Sequence, residues 1–230
     1  MREKVAVRKK IVVFAPHPDD ETFGCGGTIV KRLGEGYEVF IVVMTDGRHA
    51  FLNVLGLGSD PSPVELKAIR KEEVLRAAKI LGVPSENLLF FDFEDMALRW
   101  HEAEAEEKVL EVLKKYSPVE VYFPCKKDAN VDHQAANRII KGSIEKLGLS
   151  TSQYKYSISQ KFARLGPFVS RLLNFFRHDL VFVDVSAYLS VKEAAIEEFG
   201  SEIEALSHRQ KRPVIENCRK FLKDKEMFYL

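Results

Sequence analysis

Short runs of β-branched and aromatic residues alternate in this chain with longer amphipathic stretches, and this alternation constrains the fold more than any other feature. The run from Tyr37 to Thr45 is the strongest predicted strand. The stretch from Pro63 to Leu81 carries apolar residues at helical spacing and stops at Gly82. Strands that alternate with helices form right-handed crossovers and a mostly parallel sheet covered on both faces. The sequence therefore predicts an α/β fold with three layers.

The other predicted elements continue this pattern. Further strands are predicted at Lys10 to Phe14, Asn87 to Phe91, Glu120 to Pro124 and Leu180 to Val185. Further helices are predicted at Gly24 to Leu33, His101 to Lys115, His133 to Leu147 and Ser190 to Phe199. The long connection from Gly47 to Ser62 follows a strand end, where open α/β sheets bind ligands.

A second long connection, residues 157–178, is predicted to be an inserted loop that contains an amphipathic helix. Leu165, Phe168, Leu172 and Phe176 recur there at helical spacing, within a helix at 164–177. We expect this helix to cap the core or to roof the site. The alternative is a helix that faces lipid or a membrane surface.

Composition limits the classes to which the protein can belong. The 230 residues are 46% hydrophobic and 30% charged, which is typical of a globular domain. Lys and Arg number 35 against 34 Asp and Glu, so no net basic field favours nucleic acid. No apolar run reaches the roughly 18 residues of a transmembrane helix, and the N-terminus lacks the apolar region of a secretory signal. Three cysteines without a CxxC pair indicate a reducing compartment. We expect a single cytoplasmic domain over residues 1–230. The sequence leaves its oligomeric state open, and a homo-oligomer is one possibility.

One segment concentrates polar groups at the end of a predicted buried strand. Residues Ala15 to Glu21 read Ala-Pro-His-Pro-Asp-Asp-Glu. Three acidic side chains so close together repel one another unless a cation neutralises them. An acidic helix N-terminus would explain Asp20 and Glu21 through the helix dipole, but it leaves His17 unexplained. We therefore interpret the segment as part of a metal site.

A catalytic divalent metal typically has three protein ligands and an open fourth position. His17 and Asp20 can supply two of these ligands, and the third should follow another strand. The segment after the predicted strand at 120–124 offers His133, which we expect to open a helix. Asp128 and Asp132 are close enough in sequence to act as hydrogen-bond partners of the ligands.

Several motifs occur in an order known from one protein family. The Ala15 to Glu21 segment is followed by Thr45-Asp46-Gly47, Arg70 with Glu73, Ala77 and Leu81-Gly82, Asp132-His133, and Asp184-Val185-Ser186 with Lys192 and Ala195. In these motifs the chain resembles the LmbE-like or PIG-L zinc-dependent N-deacetylases, whose signature reads Ala-His-Pro-Asp-Asp-Glu. The first motif is specific and the later ones are supportive. The resemblance extends from about residue 10 to about residue 205.

The resemblance implies a Rossmann-like fold and a hydrolase that removes an acetyl group from an N-acetylated amino sugar or its conjugate. It also implies one zinc ion per chain, held by His17, Asp20 and His133, with Asp19 as the general base. The chemistry of two adjacent carboxylates agrees with this division. Asp20 can bind the metal, while Asp19 stays free to take a proton from the metal-bound water that acts as the nucleophile.

The chain departs from the family pattern at Asn130. The family often reads His-Pro-Asp-His where this chain reads Asn-Val-Asp-His. An asparagine amide can donate a hydrogen bond to the developing oxyanion but cannot supply a full proton, so we predict a catalytic role for Asn130 as a donor. The alternative is that the side-chain oxygen of Asn130 caps the helix. A second departure is Ser201-Glu202, where the family often has Ser-Gln.

Three residues are predicted to contact the sugar. The guanidinium of Arg70 suits hydroxyl or phosphate groups, although pairing with Glu73 is the alternative. Asp46 and Asp92 are candidates because they lie at the ends of the second and third predicted strands. By the resemblance, the substrate contains N-acetylglucosamine, either free, thiol-conjugated, lipid-linked or within an oligosaccharide.

Three other readings remain open at this point. A protein of the same fold that binds a metal or ligand without catalysis is one, and the departure at Asn130 supports it. A non-haem iron enzyme that uses His17, Asp19 and His133 is a second. A nucleotide-binding module is a third, because Gly24-Cys25-Gly26-Gly27 opens a helix, but the acidic turn before it would repel phosphate.

Overall fold

The computed structural model describes residues 8–158 and 180–230. Seven strands of these residues form one sheet in the order β3-β2-β1-β4-β5-β7-β6. The strands are β1 Lys10–Ala15, β2 Glu38–Thr45, β3 Leu88–Phe93, β4 Glu120–Pro124, β5 Ser152–Tyr156, β6 Leu180–Asp184 and β7 Lys225–Tyr229. Only β7 runs antiparallel to its neighbours. The prediction of an α/β fold with a mostly parallel sheet is confirmed.

Helices cover both faces of the sheet. They are α1 Asp20–Gly34, α2 Ala50–Leu55, α3 Pro63–Leu81, α4 Glu102–Tyr116, α5 Val131–Leu147, α6 Leu189–Glu197 and α7 Gly200–Ile203. Side chains of β1 alternate between the two apolar layers, with Ile11 and Val13 in one and Val12 and Phe14 in the other. Helices α1, α3 and α6 contribute to the first layer, and α4 and α5 to the second.

The strand order places a crevice at the centre of the sheet. Strands β2 and β3 lie on one side of β1, whereas β4 and β5 lie on the other. The connections after β1 and β4 therefore lead away from each other. Open α/β sheets bind ligands at this reversal, beyond the carboxyl ends of the strands.

Several boundaries differ from the prediction. Helix α1 begins at Asp20 and not at Gly24, and α5 begins at Val131 and not at His133. The loop predicted at 47–62 contains the short helix α2. Strands β5 and β7 were not predicted, because Ser-Gln-Tyr-Lys-Tyr and Lys-Glu-Met-Phe-Tyr are too polar to read as buried strands.

The amphipathic helix predicted at 164–177 lies outside the described residues. Among the helices that are described, none has both the length and the apolar composition needed to cross a membrane.

Candidate metal and catalytic site

The acidic motif lies at the carboxyl end of the central strand β1. Asp19 is the residue that caps α1, and its φ of 136° is a backbone conformation that side chains other than glycine rarely adopt. Its backbone N–H donates to the carboxylate of Glu21 at 3.2 Å. The resulting turn buries Asp20 in the first position of the helix. Strain of this kind is tolerated when the surrounding structure enforces it, as it often does at functional sites.

Three predicted ligands converge beside this turn. Asp20 Oδ2 lies 3.2 Å from His17 Nδ1 and 3.0 Å from His133 Nε2. The same two ring nitrogens are 3.2 Å apart. His133 reaches this point because it is the third residue of α5, which follows β4, and β4 pairs directly with β1. The sheet thus brings together residues that are more than a hundred positions apart in the chain.

The donor set fits a divalent metal ion. Zinc bonds to nitrogen and oxygen are about 2.0–2.2 Å long, so ligand atoms in a tetrahedral site lie about 3.3–3.6 Å from one another. The three ligand atoms here are 3.0–3.2 Å apart, close to this spacing. Two imidazoles and one carboxylate are also the ligand types that zinc commonly accepts.

Further carboxylates orient the two imidazoles. His17 Nε2 lies 3.3 Å from Asp132 Oδ2 and 3.4 Å from Asp95 Oδ1. His133 Nδ1 lies 3.3 Å from Asp128 Oδ2. A carboxylate behind each metal-binding imidazole is the usual arrangement, because it fixes the tautomer and the direction of the ring. Asp128 and Asp132 each lie beside one imidazole, and their role as hydrogen-bond partners of metal ligands stays a prediction.

Electrostatics at the cluster favour positive charge. Burial opposes the charged imidazolium of His133, but Asp20 and Asp128 together raise the pKa of His133 to about 9. Burial likewise opposes the charged form of Asp20, yet His133 and His17 hold the pKa of Asp20 far below its usual range. A metal ion that binds here must displace the protons on the imidazoles, so its affinity should rise with pH.

Asp19 has different surroundings from Asp20. Its Oδ2 lies 3.1 Å from Nη2 of Arg70, and its side chain lines the same cavity as the three ligands. Burial is the largest influence and raises the pKa of Asp19 well above its ordinary value, although the charge of Arg70 opposes this. A carboxyl group with a raised pKa suits proton transfer near neutral pH.

Arg70 is buried, and its guanidinium group contacts oxygen atoms of the protein. It donates to the carbonyl oxygens of Pro18 at 2.7 Å and Gly47 at 3.1 Å. Its Nη2 also lies 3.0 Å from Glu202 Oε1. Gly47 is required there, since a Cβ would lie 2.7 Å from Arg70 Nη1. This placement favours a role in holding Asp19 over direct contact with a sugar.

The alternative pairing of Arg70 with Glu73 is not seen. Glu73 accepts hydrogen bonds from the backbone N–H and hydroxyl of Ser201, at 2.7 Å and 2.6 Å. Helix α3 thus contacts two successive residues of α7: Glu73 binds Ser201, and Arg70 binds Glu202.

Asp46 and Asp92, predicted from strand ends to contact the sugar, are not among the residues that line the cavity with the ligand set. Asp46 is buried and accepts from Arg48 Nε at 2.7 Å. Asp92 is exposed, and its Oδ1 lies 3.0 Å from Lys67 Nζ. Both carboxylates are therefore held by basic side chains outside the cavity.

Asn130 caps helix α5. Its Oδ1 accepts the backbone N–H of Asp132 at 2.8 Å, so the capping role considered for this residue is present. Asn130 also lines the cavity. Because the cap engages the oxygen, a donor role would fall to the amide nitrogen, and this role stays a prediction.

Two functional candidates were missed in the sequence. Asp95 is buried beside His17, and its position two residues after the end of β3 was the available signal. The sequence predicts a strand that ends at Phe91, which puts Asp92 at the strand end, whereas β3 continues to Phe93. Glu202 departs from the family pattern, and it pairs with Arg70.

The cavity has a volume of about 230 Å³. Its lining combines the polar residues described above with an apolar wall. Apolar residues of α1, of α2 and of three loops form the wall: Phe23, Ala50, Val54, Met96, Ile158, Val214 and Ile215. Asn53 of α2 adds one polar group to this side. Such a mixture suits a small ligand with both polar and apolar parts.

Fold and site together define a Rossmann-like α/β protein with a candidate metal centre of two histidines and one aspartate at the carboxyl edge of its sheet. Residues 12–143 match the family described as PIG-L: GlcNAc-PI de-N-acetylase. The chain belongs to this family.

Relatives agree with this assignment. Diacetylchitobiose deacetylase of Thermococcus kodakarensis is 30% identical over 199 residues, which cover 84% of this chain and 70% of the relative. The solved structure of N,N'-diacetylchitobiose deacetylase from Pyrococcus horikoshii is similar with a TM-score of 0.63 and 26% identity, covering 83% of this chain and 69% of that chain. A 4-oxalmesaconate hydratase of Pseudomonas putida is 28% identical over 130 residues, 56% of this chain and 49% of the relative. The relatives include deacetylases of N-acetylated sugars, and one hydratase shows that similar chains carry other reactions.

Proposed function

We propose that this protein is a zinc-dependent N-deacetylase that hydrolyses the acetamide of an N-acetylated amino sugar or of its conjugate. The observation that carries the proposal is the convergence of His17, Asp20 and His133, with ligand atoms 3.0–3.2 Å apart, in a cavity that Asp19 also lines. A zinc ion bound to these residues would lower the pKa of water to about 7 and polarise the amide carbonyl.

The protein's own groups then handle the protons. Asp19 accepts the proton of the attacking water and later delivers it to the amine nitrogen as the C–N bond breaks. Arg70 supports this by fixing the Asp19 carboxylate at 3.1 Å. Asp95, Asp128 and Asp132 keep the two imidazoles in the orientation that metal binding requires.

Asn130 supplies a hydrogen bond to the developing oxyanion through its amide nitrogen. Its position supports this role, because Asn130 lines the cavity while its oxygen is held by the helix cap. Removal of one such donor typically lowers turnover by about 10²- to 10³-fold.

The names of the relatives and the lining of the cavity support this substrate class. The names of relatives include deacetylases of diacetylchitobiose, of an inositol conjugate of the amino sugar and of N-acetylglucosaminyl-phosphatidylinositol. An N-acetylglucosamine unit is common to these compounds. The apolar wall of Phe23, Val54 and Ile215 supports a substrate that carries a further group beyond the sugar, a lipid included.

Metal analysis combined with acetate release tests the proposal. The purified protein, reconstituted with Zn²⁺, is incubated with free N-acetylglucosamine, diacetylchitobiose, and inositol-linked and lipid-linked N-acetylglucosamine, and acetate and free amine are measured. We expect one zinc ion per chain and equal amounts of the two products from at least one compound. Zinc-loaded protein that releases acetate from none of them, but hydrates 4-oxalmesaconate, would instead favour the hydratase reaction.

A further inference from the structure

Helix α1, which carries the acidic motif, is interrupted after its first turn. Cys25 has φ −149° and ψ 23°, which is not a helical conformation, although residues before and after it are helical. In an uninterrupted helix, the N–H of Gly27 would donate to the carbonyl of Phe23, four residues earlier. A kink of this kind has an identifiable cause, such as a side chain inserted into the ladder of backbone hydrogen bonds.

Two oppositely charged side chains stand where this backbone hydrogen bond would be. Lys192 Nζ donates to the carbonyl oxygen of Phe23 at 3.0 Å and lies 2.6 Å from Glu226 Oε1. Glu226 Oε1 in turn accepts the N–H of Gly27 at 2.9 Å. The other carboxylate oxygen of Glu226 accepts the N–H of Thr28 at 2.8 Å. The ion pair therefore bridges the two halves of α1 and satisfies the backbone groups that the kink separates.

The surrounding residues are adapted to this insertion. Lys192 and Glu226 are 1% and 5% exposed, and they come from α6 and β7. A Cβ at Gly26 would lie 3.3 Å from Lys192 Cγ, and a Cβ at Gly27 would lie 2.7 Å from Val185 Cβ. The two glycines thus allow α6 and the loop before it to approach α1 closely.

A buried ion pair is weak evidence for stability, because the loss of hydration of two charges offsets much of their attraction. An uninterrupted helix would satisfy the same backbone groups without burying any charge. The position of the pair indicates a local purpose, since the half of α1 before the kink carries the ligand Asp20 and follows the proposed base Asp19. Phe23, whose carbonyl Lys192 holds, lines the same cavity.

We infer that Lys192 and Glu226 are positioning residues, which fix the direction of the first turn of α1 and thereby the placement of Asp19 and Asp20. This inference rests on the proposed function of that site. A pair that served stability alone would affect the free energy of unfolding without affecting metal affinity or turnover.

The test uses the double variant Lys192→Met/Glu226→Gln, which removes both charges and approximately preserves volume. Leu113→Ala is the control, because Leu113 is fully buried in the layer on the opposite face of the sheet. For each full-length protein, the melting temperature, the affinity for Co²⁺ from its visible absorption, and kcat and KM are measured. Residues that orient metal ligands typically change metal affinity or activity by about 10- to 100-fold, and we expect a loss in this range for both Co²⁺ affinity and kcat of the double variant.

The control should lower the melting temperature while Co²⁺ affinity and kcat stay at the values of the unmodified protein. Glu226→Gln alone retains an acceptor for one backbone N–H, so it should give an intermediate loss and keeps the test valid if the double variant does not fold. Co²⁺ affinity and kcat equal to those of Leu113→Ala would overturn the inference.

The Co²⁺ measurement needs no substrate, so it separates this inference from the proposed reaction. Absence of deacetylation by the unmodified protein would count against the reaction, while a Co²⁺ affinity lowered only in the Lys192 and Glu226 variants would still support positioning. An unmodified protein that binds no divalent metal would overturn both.

Discussion

Asp19 and Asp20 are neighbours in the chain but differ in their contacts, so they should respond differently to the same substitution. Asp20 contacts both histidines, whereas Asp19 contacts Arg70. We expect Asp19→Asn to retain the metal and lose about 10²- to 10⁴-fold in kcat, because it removes a positioned base. Asp20→Asn should lose the metal. Metal content and kcat measured on both variants check this, and the reverse pattern would exchange the two roles.

His133 is the one proposed ligand that comes from the start of α5 and not from the acidic motif after β1. We expect His133→Ala to lose bound zinc and activity together, since it leaves two of three protein ligands. His208→Ala is a suitable control because His208 is exposed. Zinc content after dialysis against a weak chelator measures the effect. A His133→Ala protein that keeps one zinc ion per chain would show that the ligand assignment is wrong.

At the level of elements, Asn130 at the start of α5 both caps the helix and lines the cavity. Asn130→Ala removes both the capping oxygen and the amide donor, so we expect a loss of about 1 kcal/mol in the free energy of unfolding and at least about tenfold in kcat. Asn130→Asp keeps a capping oxygen but no amide donor. It should therefore lose kcat while its melting temperature stays close to that of the unmodified protein.

Unfolding curves and kcat at full metal content are needed for both variants of Asn130. If kcat is unchanged in Asn130→Asp, the residue is a helix cap and has no part in catalysis.

The contact between α3 and α7 gives a second prediction at this level. The guanidinium of Arg70 holds Pro18, Gly47, Asp19 and Glu202 at the same time, and a lysine ammonium lacks the planar geometry to do so. We expect Arg70→Lys to lower kcat by about tenfold or more with little change in KM, because the general base loses its fixed position.

Arg76→Lys is the matched control, since Arg76 lies on the same helix and pairs with Glu198 at the surface. A raised KM with unchanged kcat in Arg70→Lys would instead support the sugar contact predicted from the sequence.

For the whole molecule, metal binding should be coupled to stability. The ligands come from the connections after β1 and β4, so only the folded chain presents them together. Binding to the folded state alone stabilises it by about 2.7 kcal/mol when free metal exceeds its Kd by about a hundredfold. We expect Zn²⁺ to raise the melting temperature and a chelator to lower it. His133→Ala should show no such shift, and an equal shift in this variant would place the stabilising metal elsewhere.

Much of the fold could be predicted because its central strands are buried on both faces. Tyr37 to Thr45 is almost wholly apolar and reads as a strand without any knowledge of its neighbours. Strands β5 and β7 could not be predicted in this way. Their polar residues make long-range contacts, as Glu226 does with Lys192, and no local pattern encodes a partner that lies 34 residues away.

The sequence by itself determined the α/β class and the position of the acidic motif, and it predicted the ligand types, because periodicity and residue chemistry are local properties. The prediction that Asp128 and Asp132 are hydrogen-bond partners of the ligands rests on the same local spacing. Only the tertiary structure decided that Arg70 holds Asp19, that Asp46 and Asp92 are held by basic side chains outside the lining of the cavity, and that an ion pair interrupts α1. Each of these depends on which strand ends and helices become neighbours, and burial then fixes which polar groups must satisfy one another.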